Sequence, residues 1–370
     1  MALTVLTGSE GLQPPHVGEY RGATAVSRFS DPLTEYRALR TACGVSDLGF
    51  RAKISITGGD RVRWLNGMIT NNIRDLAVGQ GVYSFLLNPQ GRILGDLYAY
   101  NRGDSITIDT DQSQLEKILA TFDHYIIMDD VTVTNLENVT ALAISGPGTR
   151  QVLRAAGIEV PEARPLQVVE AKCTCQCECT TCTAVRGEDA AHESYEVWLA
   201  GADVRKTWDA LVQHGATPVG FEALELQRVA QGIPLYGVDI GERDLPQETE
   251  QMRALNFSKG CYIGQEIVER IRSRGSVHRK FTGFIVEGPE SVAAGTKISV
   301  NDKEVGEITS VASVPLALGE KTVALGYIRR EQAAPGQRVA IGTSAATVTE
   351  LPLPDEFQRS ERSSLEHRSA

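Results

Sequence analysis

The strongest constraint on the fold is how often this chain turns back on itself. Apolar alternation of period two is cut repeatedly by Gly, Pro and Asn turns, and no βαβ repeat appears. Residues 52–57, AKISIT, alternate as a half-buried strand. Strand-like runs at 82–87, 92–100 and 104–110 are separated by Asn88-Pro89-Gln90-Gly91 and Asn101-Arg102-Gly103-Asp104. From Phe281 the spacing becomes even: 281–287, 296–300, 304–312, 322–329, 336–341 and 345–350. That rhythm predicts a separate small barrel. Helical periods are interspersed. Asp31-Pro32 reads as an N-cap and first-turn proline for a helix to about Thr41. Leu115, Ile118, Leu119 and Phe122 mark a second helix, with Asp111 and Gln114 as a capping-box-like start. Val204, Trp208, Leu211 and Val212 mark another, and a further helix spans 221–231. Strands and helices mixed in this way predict an α+β fold. The expected divisions are a flexible tail at 1–28, two α+β modules over 29–276, a barrel over 277–351 and a disordered tail over 352–370.

Composition supports a soluble, well-cored chain. Of 370 residues, 42% are hydrophobic and 23% charged, and the net charge is −10. A balance this acidic argues against non-specific coating of nucleic acid. No run of about 18 apolar residues suggests a membrane span. Met1–Glu19 carries no basic start with an apolar core, so no signal peptide is expected and the compartment expected is the cytoplasm. The seven cysteines are odd in number and crowded, unlike a secreted disulfide framework.

Two stretches carry chemistry. The first is Lys259-Gly-Cys-Tyr-Ile-Gly-Gln-Glu266. Gly260 and Gly264 bracket Cys261 and permit left-handed backbone or close approach to a ligand. Lys259 would favour the thiolate, the reactive form of Cys261. Gln265 and Glu266 add polar groups, and a basic run from Arg270 to Lys280 follows, either a solvated face or an RNA contact. The second stretch is Cys173-Thr-Cys-Gln-Cys-Glu-Cys-Thr-Thr-Cys182. Cys173, Cys175, Cys177, Cys179 and Cys182 are candidate ligands for zinc, copper(I) or an iron–sulfur cluster. The alternatives are a ligand-free hairpin insertion or a redox sensor. The paired spacing of a zinc ribbon is missing.

The octapeptide at 259–266 resembles the hallmark of the YgfZ family, folate-binding relatives of the glycine-cleavage T-protein associated with iron–sulfur cluster assembly and repair. Further blocks resemble the same superfamily. They are Gly44-Val-Ser-Asp47, Ile54-x-Ile-Thr-Gly-x-Asp60, Trp64-Leu65-Asn66, Gly79-Gln-Gly-Val-Tyr83, Leu87-Asn-x-x-Gly91-x-Ile93-x-x-Asp96-Leu97, Tyr195-Glu196 and Val219 through Arg228 to Asp239. The resemblance spans about Leu33 to Leu351.

It implies a three-lobed ring of two ferredoxin-like α+β modules plus the C-terminal β-barrel, with tetrahydrofolate in a central channel. It also implies Glu196 as acceptor for the pterin donors, since one carboxylate can take two adjacent N–H groups. Tyr83, Tyr195 and Tyr236 either pack on the ligand or belong to the core. Arg228 either holds the polar end of the folate or braces the channel through an ion pair. Asp96 and Gln265 complete the expected folate set. Aminomethyltransferases carry a paired aspartate where this chain has Gly95, and a glutamate where it has Ala230, so two candidates for acid–base work are gone. The leading expectation is a YgfZ-type factor whose Cys261 supports [4Fe–4S] clusters in client enzymes, tRNA-modifying enzymes among them. Cys261 would make transient iron contact, form a mixed disulfide or react with a one-carbon unit, and iron–sulfur assembly proteins or clients would be partners. The alternatives are a folate-dependent aminomethyltransferase and a non-catalytic folate-binding regulator.

Overall fold

The computed structural model describes residues 2–3, 6, 16–174, 180–189, 193–288, 292–316 and 319–353. The fold is α+β, and the chain divides into two compact units. The first comprises 1–87, 94–223 and 253–263, the second 88–93, 224–252 and 264–370. No helix among the described residues is long and apolar enough to cross a membrane.

The first unit opens on β1 (Ala2–Leu3), β2 (His16–Tyr20) and β3 (Ala23–Arg28), joined in the order β1-β3-β2. Residues 1–28 were expected as a tail; instead 16–28 form a hairpin that buries Tyr20, Ala23, Ala25 and Val26. Small residues hid the alternation, and the anchor is non-local: Tyr20 stacks on Phe221 with ring centroids 4.7 Å apart. Helix α1 (Pro32–Thr41) starts where Asp31 accepts from the Thr34 N–H at 2.9 Å, a side-chain cap on an otherwise unsatisfied donor.

The elements that follow are β4 (Gly44–Asp47), β5 (Arg51–Thr57), α2 (Arg61–Met68), β6 (Gly81–Leu87), β7 (Ile93–Asn101), β8 (Ile106–Asp111), α3 (Gln112–Tyr125), β9 (Thr132–Asn135), β10 (Val139–Ser145) and α4 (Thr149–Ala155). Then come β11 (Ile158–Glu159), β12 (Val168–Cys173), β13 (Thr181–Arg186), β14 (Ser194–Ala200), α5 (Gly201–Gln213), β15 (Thr217–Pro218) and α6 (Phe221–Gln231). They build a five-stranded sheet, β6-β7-β8-β5-β9, and a seven-stranded sheet, β11-β12-β13-β14-β10-β4-β15.

Each sheet packs one face on helices. Ile54, Ile56, Leu97, Ala99 and Ile108 meet Trp64 and Leu65 of α2 and Ile118 and Phe122 of α3. In the larger sheet Leu142, Ile144, Val197 and Leu199 meet Val152 and Leu153 of α4 and Val204, Trp208 and Leu211 of α5. A fully buried side chain of this size contributes about 1.5–3 kcal/mol over its exposed state. The proposed capping box at α3 is absent. Asp111 makes no side-chain cap bond; its carboxylate takes the Arg51 guanidinium at 2.5 Å and Arg21 at 3.4 Å.

The second unit holds the turn at 88–93, most of α6, two 3₁₀ turns (Pro246–Thr249 and Met252–Ala254, the latter reaching into the first unit), α7 (Gln265–Arg274) and the barrel. The barrel strands are β16 (Arg279–Val286), β17 (Lys297–Val300), β18 (Lys303–Leu316), β19 (Gly319–Arg329), β20 (Arg338–Ile341) and β21 (Ser344–Thr349). They close in the order β16-β19-β18-β17-β20-β21 around Phe284, Ile298, Ile308, Ile328 and Val348. Period-two alternation closing on itself explains why this part was readable from spacing. Leu353 is buried and donates its N–H to Ala230 O at 2.9 Å, so the chain is still anchored past Pro352. The rest of the expected C-terminal tail lies outside the described residues.

Candidate functional site

The charged cluster of the first unit follows from strand register. Arg51 stands opposite Asp111 and Lys53 opposite Asp109 on the β5–β8 ladder. Because side chains alternate, Ala52, Ile54 and Ile56 go to the helix-packed core, and Arg51 and Lys53 share the other face with the two aspartates. Lys53 Nζ donates to Asp109 Oδ1 at 2.7 Å, and Arg51 Nε donates to the same oxygen at 3.1 Å. Lys53 and Asp109 are essentially inaccessible to solvent. Burial alone would lift the Asp109 pKa; Arg51 and Lys53 outweigh it and hold the carboxyl below its usual range.

Glu196 joins this cluster from β14. Its Oε2 accepts from the Trp198 indole at 3.1 Å and lies 3.8 Å from Lys53 Nζ. Its side chain is nonetheless 28% exposed, and Oε1 takes no hydrogen bond from the described residues. Burial first, then the negative charge of Asp109, raises its pKa; Lys53 and Arg51 pull the other way. The result is a solvent-reached carboxylate with one oxygen to spare, backed by fixed cations.

Asp96 is the second half-buried carboxyl. Tyr83 donates to its Oδ2 at 2.8 Å and Gln114 Nε2 to its Oδ1 at 2.7 Å. The Asp96 N–H in turn donates to Gln114 Oε1 at 2.9 Å. Burial, then the charge of Asp111, raises the Asp96 pKa against these two hydrogen bonds. Tyr83 is pushed well above its ordinary value by burial and by Asp96, so it stays a phenol and a donor. The Arg253 guanidinium lies 4.1 Å over the Tyr83 ring and pairs with Glu188, which also accepts from Tyr98 at 3.1 Å. At Gly95 an added Cβ would meet Gln114 Oε1 at 3.0 Å, a tight contact at the end of a flexible side chain.

The Cys261 loop is built on alternating inward and outward turns. Lys259 goes in. Its Nζ donates to Asn66 O at 2.6 Å and Ile69 O at 2.5 Å, closing the carbonyl end of α2. Burial pushes this ammonium down to about 7. Cys261 goes out and is exposed, Tyr262 is buried, and Ile263 N–H donates to Gly67 O at 3.1 Å. Gly260 and Gly264 have φ of +93° and +80°, the left-handed region that glycine enters without strain.

The expected folate residues are thus distributed unevenly. Tyr83 and Asp96 are bonded to each other, and Asp96 and Glu196 both feel the charge of Arg51; all three lie in the first unit. Tyr195 does not join them: one residue before Glu196, it points to the opposite face, is 1% exposed, and accepts from Arg150 at 2.7 Å. Arg228, in the second unit, is engaged by Glu225, Asp239 at 2.6 Å and Ser310 at 2.9 Å. Tyr236 lies half-buried in the turn bridging to Ile240, and Gln265 opens α7, both in the second unit. Cys175, Cys177 and Cys179 lie outside the described residues. Cys173 and Cys182 are buried, and no cluster of three or more metal-ligating side chains occurs among the described residues. Sequence reasoning missed Arg51, Lys53, Asp109, Asp111, Glu188 and Arg253. The signal for the first four was available: charges two apart on facing strands, Arg-x-Lys against Asp-x-Asp. Glu188 and Arg253 sit in loops and left no pattern.

Comparisons with known proteins agree with this architecture. A family model described as the GCVT N-terminal domain matches residues 17–259, and one described as the glycine cleavage T-protein C-terminal barrel domain matches 279–355. An aminomethyltransferase of Halothermothrix orenii is 25% identical, the match covering 90% of this chain and 92% of its own length. One of Rubrobacter xylanophilus is 28% identical, covering 94% and 92%. The crystal structure of glycine cleavage system aminomethyltransferase T from Bartonella henselae superposes with a TM-score of 0.82 at 22% identity, covering 91% of this chain and 94% of that one, a shared fold.

Proposed function

The chain belongs to the glycine cleavage T-protein family, and from that premise we propose that it binds tetrahydrofolate and serves, in the manner of the YgfZ branch, to maintain [4Fe–4S] clusters in client enzymes through Cys261. The observation that carries the folate half is Glu196. A carboxylate with Oε1 open and its charge supported by Lys53 and Arg51 suits the adjacent N–H donors of a pterin. Asp96, held by the Tyr83 hydroxyl, supplies a second half-buried carboxyl. The folate would contribute one-carbon carriage; the residues here bind and orient it. The Cys261 half is supported by an exposed thiol on a loop whose neighbours, Lys259 and Tyr262, are anchored inward.

One observation favours a second reading, aminomethyl transfer. Asp96 has its pKa raised by burial and by Asp111 between Tyr83 and Gln114, the direction an acid–base carboxyl needs, and the relatives named above are aminomethyltransferases. The lack of a carboxylate at Gly95 and at the apolar Ala230 weighs against it.

Calorimetric titration with tetrahydrofolate tests the folate half. Glu196→Gln is expected to weaken binding about 10–100-fold, the loss of a charge-assisted bond of about 1.5–3 kcal/mol; unchanged affinity would remove Glu196 from the site. Restoring a deletion strain with wild type or Cys261→Ala, then assaying a [4Fe–4S] enzyme under oxidative stress, tests the other half. Equal rescue at equal protein level would make the thiol dispensable. Glycine-cleavage activity in the purified protein would favour the second reading.

A further inference from the structure

We propose that Cys173 and Cys182 form a two-electron thiol–disulfide site at the mouth of the β12–β13 hairpin, oxidised by small hydroperoxides and independent of both the charged cluster and Cys261. Register brings the pair together. Ala171 stands opposite Cys182 and Lys172 opposite Thr181, and Cys173 N–H donates to Thr180 O at 2.9 Å. Cys173 lies two residues beyond Ala171, so it and Cys182 occupy the same face of the ladder on a diagonal. Their sulfurs approach to 2.9 Å.

That distance bears on the chemistries open to two neighbouring cysteines. Two thiolates on one tetrahedral zinc, each at about 2.3 Å, stand roughly 3.8 Å apart. A sulfur–sulfur bond needs about 2.05 Å. The observed approach is closer than a shared zinc would hold the two sulfurs, and the pair needs only to close by less than about 1 Å to bond. The surroundings agree. Both side chains pack among Ile158, Ala171 and Ala184, and among the described residues no cluster of three or more metal-ligating side chains includes them. With exposures of only 7% and 8%, the pair calls for an oxidant as small as hydrogen peroxide.

The reaction balances in two steps. One thiol is oxidised by the hydroperoxide to a sulfenic acid, with release of water (an alcohol if the peroxide is organic). The neighbouring thiol then displaces the sulfenic oxygen, which leaves as a second water, and the sulfur–sulfur bond forms. Both sulfurs are oxidised by one electron each, and the peroxide oxygen–oxygen bond takes the two electrons.

The test uses the full-length chain with Cys175, Cys177 and Cys179 changed to Ser, so that the two remaining hairpin cysteines lie on one tryptic peptide, Cys173–Arg186. The folded protein is treated with hydrogen peroxide, alkylated and digested. That peptide is expected to lose two hydrogens and both alkyl labels, and to regain both labels after dithiothreitol. Cys261 is the exposed reference. Cys43, buried and pushed up to about 11 by that burial, is the inert one. Retention of both labels once Cys261 is fully oxidised would overturn the proposal. So would pairing seen only in urea. In the native sequence, a bond mapping to Cys175, Cys177 or Cys179 instead of the Cys173–Cys182 pair would overturn it too. Stoichiometric zinc bound by the triple variant and lost on Cys173→Ser would replace the disulfide by a metal site.

Discussion

Lys259 illustrates how one side chain's direction settles a chemical role. Adjacent in sequence to the glycine before Cys261, it is expected to stabilise the thiolate, yet its ammonium is spent on the carbonyls of Asn66 and Ile69 at the end of α2. Replacing it should therefore leave Cys261 chemistry nearly untouched. The iodoacetamide rate of Cys261 in Lys259→Met is expected to stay within about twofold of wild type, whereas a true activating partner would shift it far more. Lys53 is the opposite case, silent in sequence and central in space. Folate binding through an ionised Glu196 should weaken as pH falls through the Glu196 pKa, which burial and Asp109 have raised. The acid limb of affinity against pH thus lies above that of an ordinary glutamate. Lys53→Met removes an attraction that opposes this rise, so the limb is expected to move to still higher pH; a limb that moves down, or stays, would separate Lys53 from Glu196.

At the scale of elements, alternation and turn chemistry were legible wherever they were local. Asp31-Pro32 opened α1, and the even spacing after Phe281 gave the barrel strands, because both signals act within a few residues. What was not legible was decided across the chain. The strands at 16–28 are held by contacts such as Tyr20 on Phe221. Tyr195 and Glu196 were read as one motif, but a strand sends neighbours to opposite faces. Glu35 shows the same long reach: its carboxylate accepts from Phe29 N–H at 2.7 Å, Ser30 N–H at 2.5 Å and Gly220 N–H at 2.8 Å, joining the entry of α1 to that of α6. Nothing in its sequence neighbourhood announces this. Glu35→Ala strips three backbone donors of their acceptor and is expected to cost about 3 kcal/mol. The check is a lower urea midpoint with unchanged slope; a loss under about 0.5 kcal/mol would mean water replaces the carboxylate freely.

For the whole molecule, the two units are interleaved in sequence: boundaries fall after residues 87, 93, 223, 252 and 263. The barrel predicted at 277–351 is accordingly not a free-standing piece. Arg279 of β16 is tied to Asp244 at 2.6 Å and Glu248 at 2.9 Å, and Leu353 to Ala230, residues that a cut at 277 would leave behind. A fragment 277–353 is expected to be poorly soluble or unfolded by circular dichroism; a cooperative melt from it would show that the strands alone suffice. Their circular pairing has one more consequence. In an open sheet, amides at the border strands exchange with deuterium by local fraying. In a ring of six every strand has a neighbour on both sides, so no border strand exists to loosen first. Where strands are paired on both sides, deuterium uptake should then be slow and nearly synchronous, its rate set by rare opening of the entire ring, with faster exchange confined to the β18–β19 end around Val314 and Lys321, which is paired on one side only.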